Sequence, residues 1–391
     1  MILNRIIGNC SKCQAINAYG ILYISNNSIL YGCKSCKTTH LRKLPDLRKK
    51  IIYLDQFFLS KVFRKSDSDF LSIAEKLKKL AHYQAIVCPY STAHESETHQ
   101  WRREERDELF KFIKQFSGGH DFIPDYDVEM TQLKRSYKAF LKGDSPQIEL
   151  IERDALADDV HHWDDYIWID VGRYVEDIEL IRNLKNEVAN GFVDAVDEWK
   201  NKELSFGELL AHEVGAWRDN IINSFLKSAP KVLNDPLAFL EQPIISQYLL
   251  KLSRIEEAGQ TPDERMRKIM QFLQSDYIRH IPFVDIFSRI HALLRYKVQQ
   301  GQFPTNTEKI KRTVSGLFYD AKFISVYAPY CDAIFVDNLM HQWLIHEKID
   351  IQSRYSAKVF SKTNLKDFNA YIDIIETNIP PEQQEIVREI Y

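Results

Sequence analysis

The 391-residue chain lacks any run of about 18 apolar residues. Its first segment, MILNRIIGNCSKCQ, also lacks the apolar stretch of a secretory leader. A soluble, cytoplasmic protein with no membrane partner is therefore expected. No charge of one sign predominates: 52 Lys and Arg stand against 55 Asp and Glu, a formal net charge of −3. That balance excludes a global positive field that would gather nucleic acid, and leaves phosphate contacts to local basic patches. Neither G-x-x-x-x-G-K-[ST] nor G-x-G-x-x-G occurs, so nothing points to nucleotide hydrolysis or a dinucleotide cofactor. Internal repeats, low-complexity tracts and Pro/Gly-rich linkers are missing too. What remains is an ordinary folded composition, 45% hydrophobic and 27% charged, in a chain long enough for two or three units.

Cysteine is scarce, but four of the six fall in two close pairs, while Cys88 and Cys331 stand alone in apolar segments where core packing explains them. An intracellular compartment keeps thiols reduced, so the pairs argue for a metal site rather than a disulfide framework. Cys10-Ser-Lys-Cys13 and Cys33-Lys-Ser-Cys36 are two C-x-x-C knuckles flanking AYGILYISNNSILYG, which reads as two short strands around a turn. Two knuckles supply the four thiolates of a tetrahedral, closed and hence structural Zn²⁺ site. His40 could substitute for one cysteine, although four thiolates already fill the shell. So short a ribbon depends on its metal to fold. Lys37, Arg42, Lys43, Arg48, Lys49 and Lys50 follow as a basic stretch that either touches a phosphate backbone or is a solvated linker.

Beyond the ribbon, IIYL is an apolar run ending at Asp55, the pattern of a buried parallel strand. DFLSIAEKLKKLAHY has helical periodicity and leads to a second apolar run at Ala85–Pro89, completing a strand-helix-strand unit. A helix then begins at Ser91 or Thr92, with Glu95 and Glu97 in its first turns. Near the other end VSGLFYDAKFISVYA is helical, AIFV is a strand ending at Asp337, and AKVFS is another strand before the helix NLKDFNAYIDII. Asp320 falls in the first of these helices and Asp332 just before the strand. Acids at the C-terminal ends of strands lie where open α/β sheets bind ligands. Several carboxylates held together repel one another, and a hard cation with oxygen ligands relieves that conflict.

The segments YLDQFFLS, CPYSTAHESE, YDAKFISVYAPYCDAIFVD and KVFS resemble the successive strand-and-acid segments of PIN-like nucleases. The resemblance covers residues 50–100 and 310–375 and implies a Rossmann-like parallel sheet. Matched position by position, it assigns Asp55, Glu95, Asp320 and Asp337 as catalytic metal ligands. Glu97 is the alternative to Glu95, and Asp332 is a fifth acid. It further implies Mg²⁺ or Mn²⁺ and phosphodiester hydrolysis, mostly of RNA, in an endoribonuclease of toxin or defence type with a regulatory protein partner. DNA as substrate, and a non-catalytic scaffold docking through its ribbon, are the competing readings.

The expected architecture is thus α/β: a zinc ribbon at 1–45, a PIN-like domain in two halves at 46–100 and 300–378, a helical insertion at 101–299 and a tail at 379–391. Within the insertion Leu210, Val214, Trp217, Ile221 and Phe225 form one apolar stripe, and Met266, Met270, Leu273 and Tyr277 another; both read as core. Arg102, Arg103 and Arg106 are expected on the same helix as the catalytic Glu, guiding a phosphate backbone or simply exposed. Other metal readings fare worse. His94 and His99 miss the H-E-x-x-H spacing, and His212 has no partner histidine. Asp158, Asp159, His161, His162, Asp164 and Asp165 are close in sequence but point in different directions.

Overall fold

A computed structural model describes residues 2–25, 27–164, 191–193, 195–196, 198–234, 242, 244–255, 260–304 and 306–391. Asp165 lies outside the described residues. At the N-terminus, strands β1 (Arg5–Gly8), β2 (Tyr19–Ser25), β3 (Ser28–Cys33) and β4 (Thr39–Lys43) pair antiparallel in that order. The expected hairpin is β2–β3, paired from Tyr19↔Cys33 to Ser25↔Ser28; the outer strands β1 and β4 extend it. The close approach of β1 leaves no room for a side chain at residue 20. A Cβ there would lie 1.9 Å from the carbonyl oxygen of Arg5, so Gly20 is required.

The second sheet is parallel: β5 (Lys50–Leu54), β6 (Ile86–Val87), β7 (Ala333–Phe335) and β8 (Lys358–Phe360), ordered β6-β5-β7-β8. Side chains alternate between two cores, as the period of two requires. Ile51, Tyr53, Val87, Ile334 and Val359 face one core, and Ile52, Leu54, Ile86, Phe335 and Phe360 face the other. Burial on both faces explains why these strands are continuous apolar runs rather than alternating ones. The second core is closed by the helices Gln56–Phe63, Ser68–His82 and Leu365–Thr377.

The helices of the central region cover the opposite face. Asp125–Lys142, Phe206–Asn234, Pro262–Gln274 and Pro282–Gln299 share one hydrophobic cluster with Ile51, Tyr53 and Ile334. Both expected apolar stripes point into it, with Ile221 and Leu273 buried. Asp285 ties this layer to the end of the sheet. Its buried carboxylate accepts from Arg289 at 2.7 Å on its own helix, and from Arg354 at 2.8 Å and Tyr355 at 3.0 Å on the short helix before β8. Among the described residues no helix is long and apolar enough to cross a membrane.

The last helix, Pro381–Ile390, packs Ile386, Val387 and Ile390 against Ile21, Ile29 and Tyr31 of the ribbon and Leu44 and Leu47 behind it. Glu389 accepts from the Tyr31 hydroxyl at 2.6 Å and from Arg42 at 2.7 Å. Trp163 is buried in the same cluster and donates to the Pro45 carbonyl at 2.8 Å. The chain end is therefore the floor of the ribbon. Ile386→Ala should cost about 2–5 kcal/mol of this packing. Limited proteolysis between Leu44 and Lys50 should accelerate in that variant, whereas an unchanged cleavage rate would show that the ribbon holds itself without the helix.

Candidate carboxylate site and cysteine cluster

The two knuckles are built alike. In the first, Gln14 N donates to Cys10 O at 2.9 Å and Cys10 N to Ala15 O at 3.0 Å. In the second, Lys37 N donates to Cys33 O at 3.0 Å and Cys33 N to Thr38 O at 3.0 Å. Each turn closes on a residue with positive φ, Gln14 at 59° and Lys37 at 60°. The four sulfurs all lie within 4.8 Å of one another, with Cys10 Sγ to Cys36 Sγ at 3.8 Å and Cys13 Sγ to Cys33 Sγ at 3.7 Å. Sulfurs placed tetrahedrally about 2.3 Å from one ion are about 3.8 Å apart, so this set can hold a metal ion such as zinc. The N–H groups of Ser35 and Cys36 point at Cys33 Sγ at 3.4 and 3.5 Å, and such bonds favour the thiolate that a metal needs.

The carboxylates gather at the opposite end of the parallel sheet. Asp55 follows β5 and Asp337 follows β7, and the connections from these two central strands lead to opposite sides of the sheet. The gap between their C-terminal ends is the switch point at which open α/β sheets form a crevice. Asp55 N continues the ladder to Phe335 O at 2.9 Å. Asp337 caps the helix Asn338–Leu344, its Oδ1 accepting from Met340 N at 2.7 Å. Asp55, Glu97 of the helix Thr92–His99 and Asp320 of the helix Thr307–Tyr327 line one narrow cleft floored by Tyr53. Burial and the charges of Glu97 and Asp337 push Asp55 up to about 8. The same field, added to burial, drives the Tyr53 hydroxyl well above its ordinary value. Asp337 is not part of that lining, but its charge, with those of Glu97 and Asp320, acts around the end of β5.

A histidine sets the spacing. His94 is 1% exposed; its Nδ1 accepts from Ser91 N at 2.9 Å, which leaves the proton on Nε2 to donate to Leu54 O at 2.7 Å. Burial pulls its pKa down to about 4, so the ring is neutral and clamps the start of the Glu97 helix to the end of β5, one residue before Asp55.

The expected site residues divide accordingly. Residues two apart on a helix face away from each other, and Glu95 lines a neighbouring, larger cavity rather than the cleft with Asp55 and Glu97. Asp332 is not with the others at all. It precedes β7 at the N-terminal edge of the sheet, where it accepts from Lys50 Nζ at 2.6 Å and Ile51 N at 2.9 Å, and all of β7 separates it from Asp337. The arginines are not on the Glu97 helix, which ends at Gln100; Arg102 caps a new helix, Arg103–Phe116, and Arg106 pairs with Asp107 at 3.0 Å. In the Asp/His cluster, Asp159 pairs with Arg153 and Asp164 with Lys49 at 2.9 Å, while His161 meets Glu152 at 2.5 Å. Among the described residues the four cysteines alone form a group of metal-ligating atoms within 4.8 Å, so the cleft carboxylates stand further apart. No protein-family model, curated protein or solved structure matches the chain.

The crowding has a measurable cost. With its pKa raised from 3.8 to about 8, Asp55 supports the fold below about pH 4, and that support is lost as pH rises through 8. Without divalent ions, Asp55→Asn should therefore gain stability over the parent by at most about 1.4 kcal/mol per pH unit between these limits. Denaturant titrations in EDTA at pH 4.5, 6 and 7.5 measure it; a gap that does not widen with pH would mean that burial and the neighbouring acids do not raise Asp55.

Proposed function

We propose that the chain is a metal-dependent phosphodiesterase of PIN-like type, an endoribonuclease, with Asp55, Glu97, Asp320 and Asp337 as its acid set and zinc held by the four cysteines in a structural ribbon. One observation carries the reading. Carboxylates from two strand ends and two helices lie about the switch-point crevice of a parallel sheet, and burial together with the charges of Glu97 and Asp337 lifts Asp55 to about 8. The donor set is all oxygen and net negative, which suits Mg²⁺ or Mn²⁺. When bound, such an ion supplies Lewis acidity to a phosphodiester and acidifies water.

The protein's own residues do the rest. Asp55 and Asp337 are fixed by backbone at the ends of paired strands, so their separation is set by the sheet. Glu97 is set by the His94 clamp and Asp320 by the helix that also buries Phe323 and Ile324. Tyr53 closes the floor against bulk water. A crevice of this charge repels a phosphodiester unless cations are present, so substrate binding itself requires the metal.

The test is cleavage of end-labelled single-stranded RNA and DNA by the whole protein with Mn²⁺, Mg²⁺ or EDTA. Asp55→Asn and Glu97→Gln should each lower the rate by about 100-fold or more, the scale on which removing charge stabilisation acts. Asp332→Asn should retain cleavage, since its carboxylate pairs with Lys50 at the far end of the sheet. Metal-independent cleavage, or cleavage that survives both cleft variants, would overturn the proposal. Zinc is tested separately: elemental analysis should find one zinc per chain and less than half of that in Cys33→Ser.

A further inference from the structure

Beside the acid cleft lies a second cavity of about 660 Å³, within the range of about 300–1,000 Å³ usual for small-molecule sites. The two share Phe323 as a wall, and the helix Thr92–His99 stands between them, with Glu97 in the cleft and Glu95 in the cavity. Aromatic rings form much of the lining, among them Trp217, Tyr319 and Phe323. Trp217 is held edge-on by Phe283 at 5.4 Å between ring centres, which fixes its plane. Four carboxylates, Glu95, Asp121, Asp125 and Glu129, outnumber the lone lysine, Lys322, which pairs with Asp125 at 2.5 Å; the other polar groups are hydroxyls such as those of Ser91, Ser96 and Tyr319. Thr92 donates to the other oxygen of Asp125 at 3.2 Å, so that group is spent. Tyr248 donates to Oε2 of Glu129, a carboxyl that burial raises to about 7, and once ionised its second oxygen keeps acceptor capacity.

Flat aromatic walls, carboxylates in excess of the one lysine and hydroxyls that can accept favour a planar ligand with adjacent N–H donors. Among the nucleobases, guanine alone presents two neighbouring donors, N1–H and N2–H₂, on its pairing edge. Adenine and cytosine place an acceptor nitrogen beside their amino group, and uracil places one N–H between two carbonyls. Phosphate itself is repelled by the carboxylates. Single-stranded RNA is read in this way, by bases stacked on aromatic side chains and hydrogen-bonded along their edges.

We propose that this cavity takes an unstacked guanine from the strand whose phosphate enters the acid cleft, so that cleavage falls next to guanosine. The proposal rests on the phosphodiesterase reading only for its second half; the guanine site itself stands or falls by binding. Trp217 supplies the stacking face and Glu129 the acceptor. Glu95 completes the polar wall on the side of the cleft, a different role from the metal ligation that its place in the sequence suggests.

The experiment uses the whole chain carrying Asp55→Asn in EDTA, so that binding is read without cleavage. Calorimetric titration with GMP, AMP, CMP and UMP should give GMP at least tenfold tighter than the other three. Adding Glu129→Gln should reduce that preference about tenfold. Trp217→Ala should weaken all four nucleotides, with Trp217→Phe restoring most of the affinity and circular dichroism confirming that each variant is folded. Equal affinity for the four bases, no binding of any, or spermidine binding more tightly than GMP would overturn the proposal, the last in favour of a cation site. Cut-site mapping with unmodified protein separates the two readings. Cleavage with no guanine preference and no GMP binding sinks the pocket and spares the nuclease; GMP binding without cleavage in any metal does the reverse.

Discussion

Strand β5 is buried on both faces, and every side chain from Ile51 to Leu54 is committed to one core or the other. Such a strand cannot carry a functional group along its length, and the first position free to do so is the residue beyond its end. The same holds for β7, whose Ala333, Ile334 and Phe335 are all buried. Because the strands are parallel and adjacent, both ends open on the same edge, and the switch in connection direction between them leaves the crevice uncovered. The placement of Asp55 and Asp337 follows from that packing constraint. The helices that close the two cores then bring Glu97 and Asp320 to the crevice.

The cost of this arrangement is electrostatic, and a cation beside the acids would offset it. His94 could have done so, but burial keeps it neutral and both its ring nitrogens are engaged in holding backbone. A charged imidazolium there would shield Asp55 at the price of losing the bond from Ser91 N. Lys322, on the helix of Asp320, is turned to Asp125 in the neighbouring cavity.

What could be read from the sequence followed from unambiguous local signals. Each strand of the parallel sheet is a short apolar run, and the runs IIYL and AIFV stop at an acid, so Asp55 and Asp337 were legible. The helical repeat around Asp320 and the two C-x-x-C knuckles were equally plain. The choice between Glu95 and Glu97 was not, because the helix Thr92–His99 has only eight residues and buries polar side chains such as His94, Ser96 and Thr98. With no apolar stripe, nothing in the sequence says which acid faces the sheet. Asp332 misleads for a related reason: with only three residues in β7, an acid on either side of it looks alike, and only strand direction tells top from bottom. The clamp by His94 was hidden in a motif examined for metal binding. The union of the central helices with the sheet in one core, and of the last helix with the ribbon, are contacts between distant segments that local pattern does not encode.

Strand polarity also separates the cysteine cluster from the cleft carboxylates. The ribbon's core includes Leu47, just before β5, and touches Tyr83, just before β6, so the ribbon stands at the N-terminal edge of the sheet while the acids stand at the C-terminal edge. Its four sulfurs, which could hold a metal ion, therefore lie away from the cleft. The charge is divided the same way. The first 45 residues contain six Lys and Arg and no Asp or Glu, in a chain whose net charge is −3. The remainder is thus more acidic than the total suggests, and the near-neutral sum conceals a basic module at one end of the sheet and an acidic crevice at the other. A polyanion long enough to span both would be attracted at the ribbon and, without cations, repelled at the cleft.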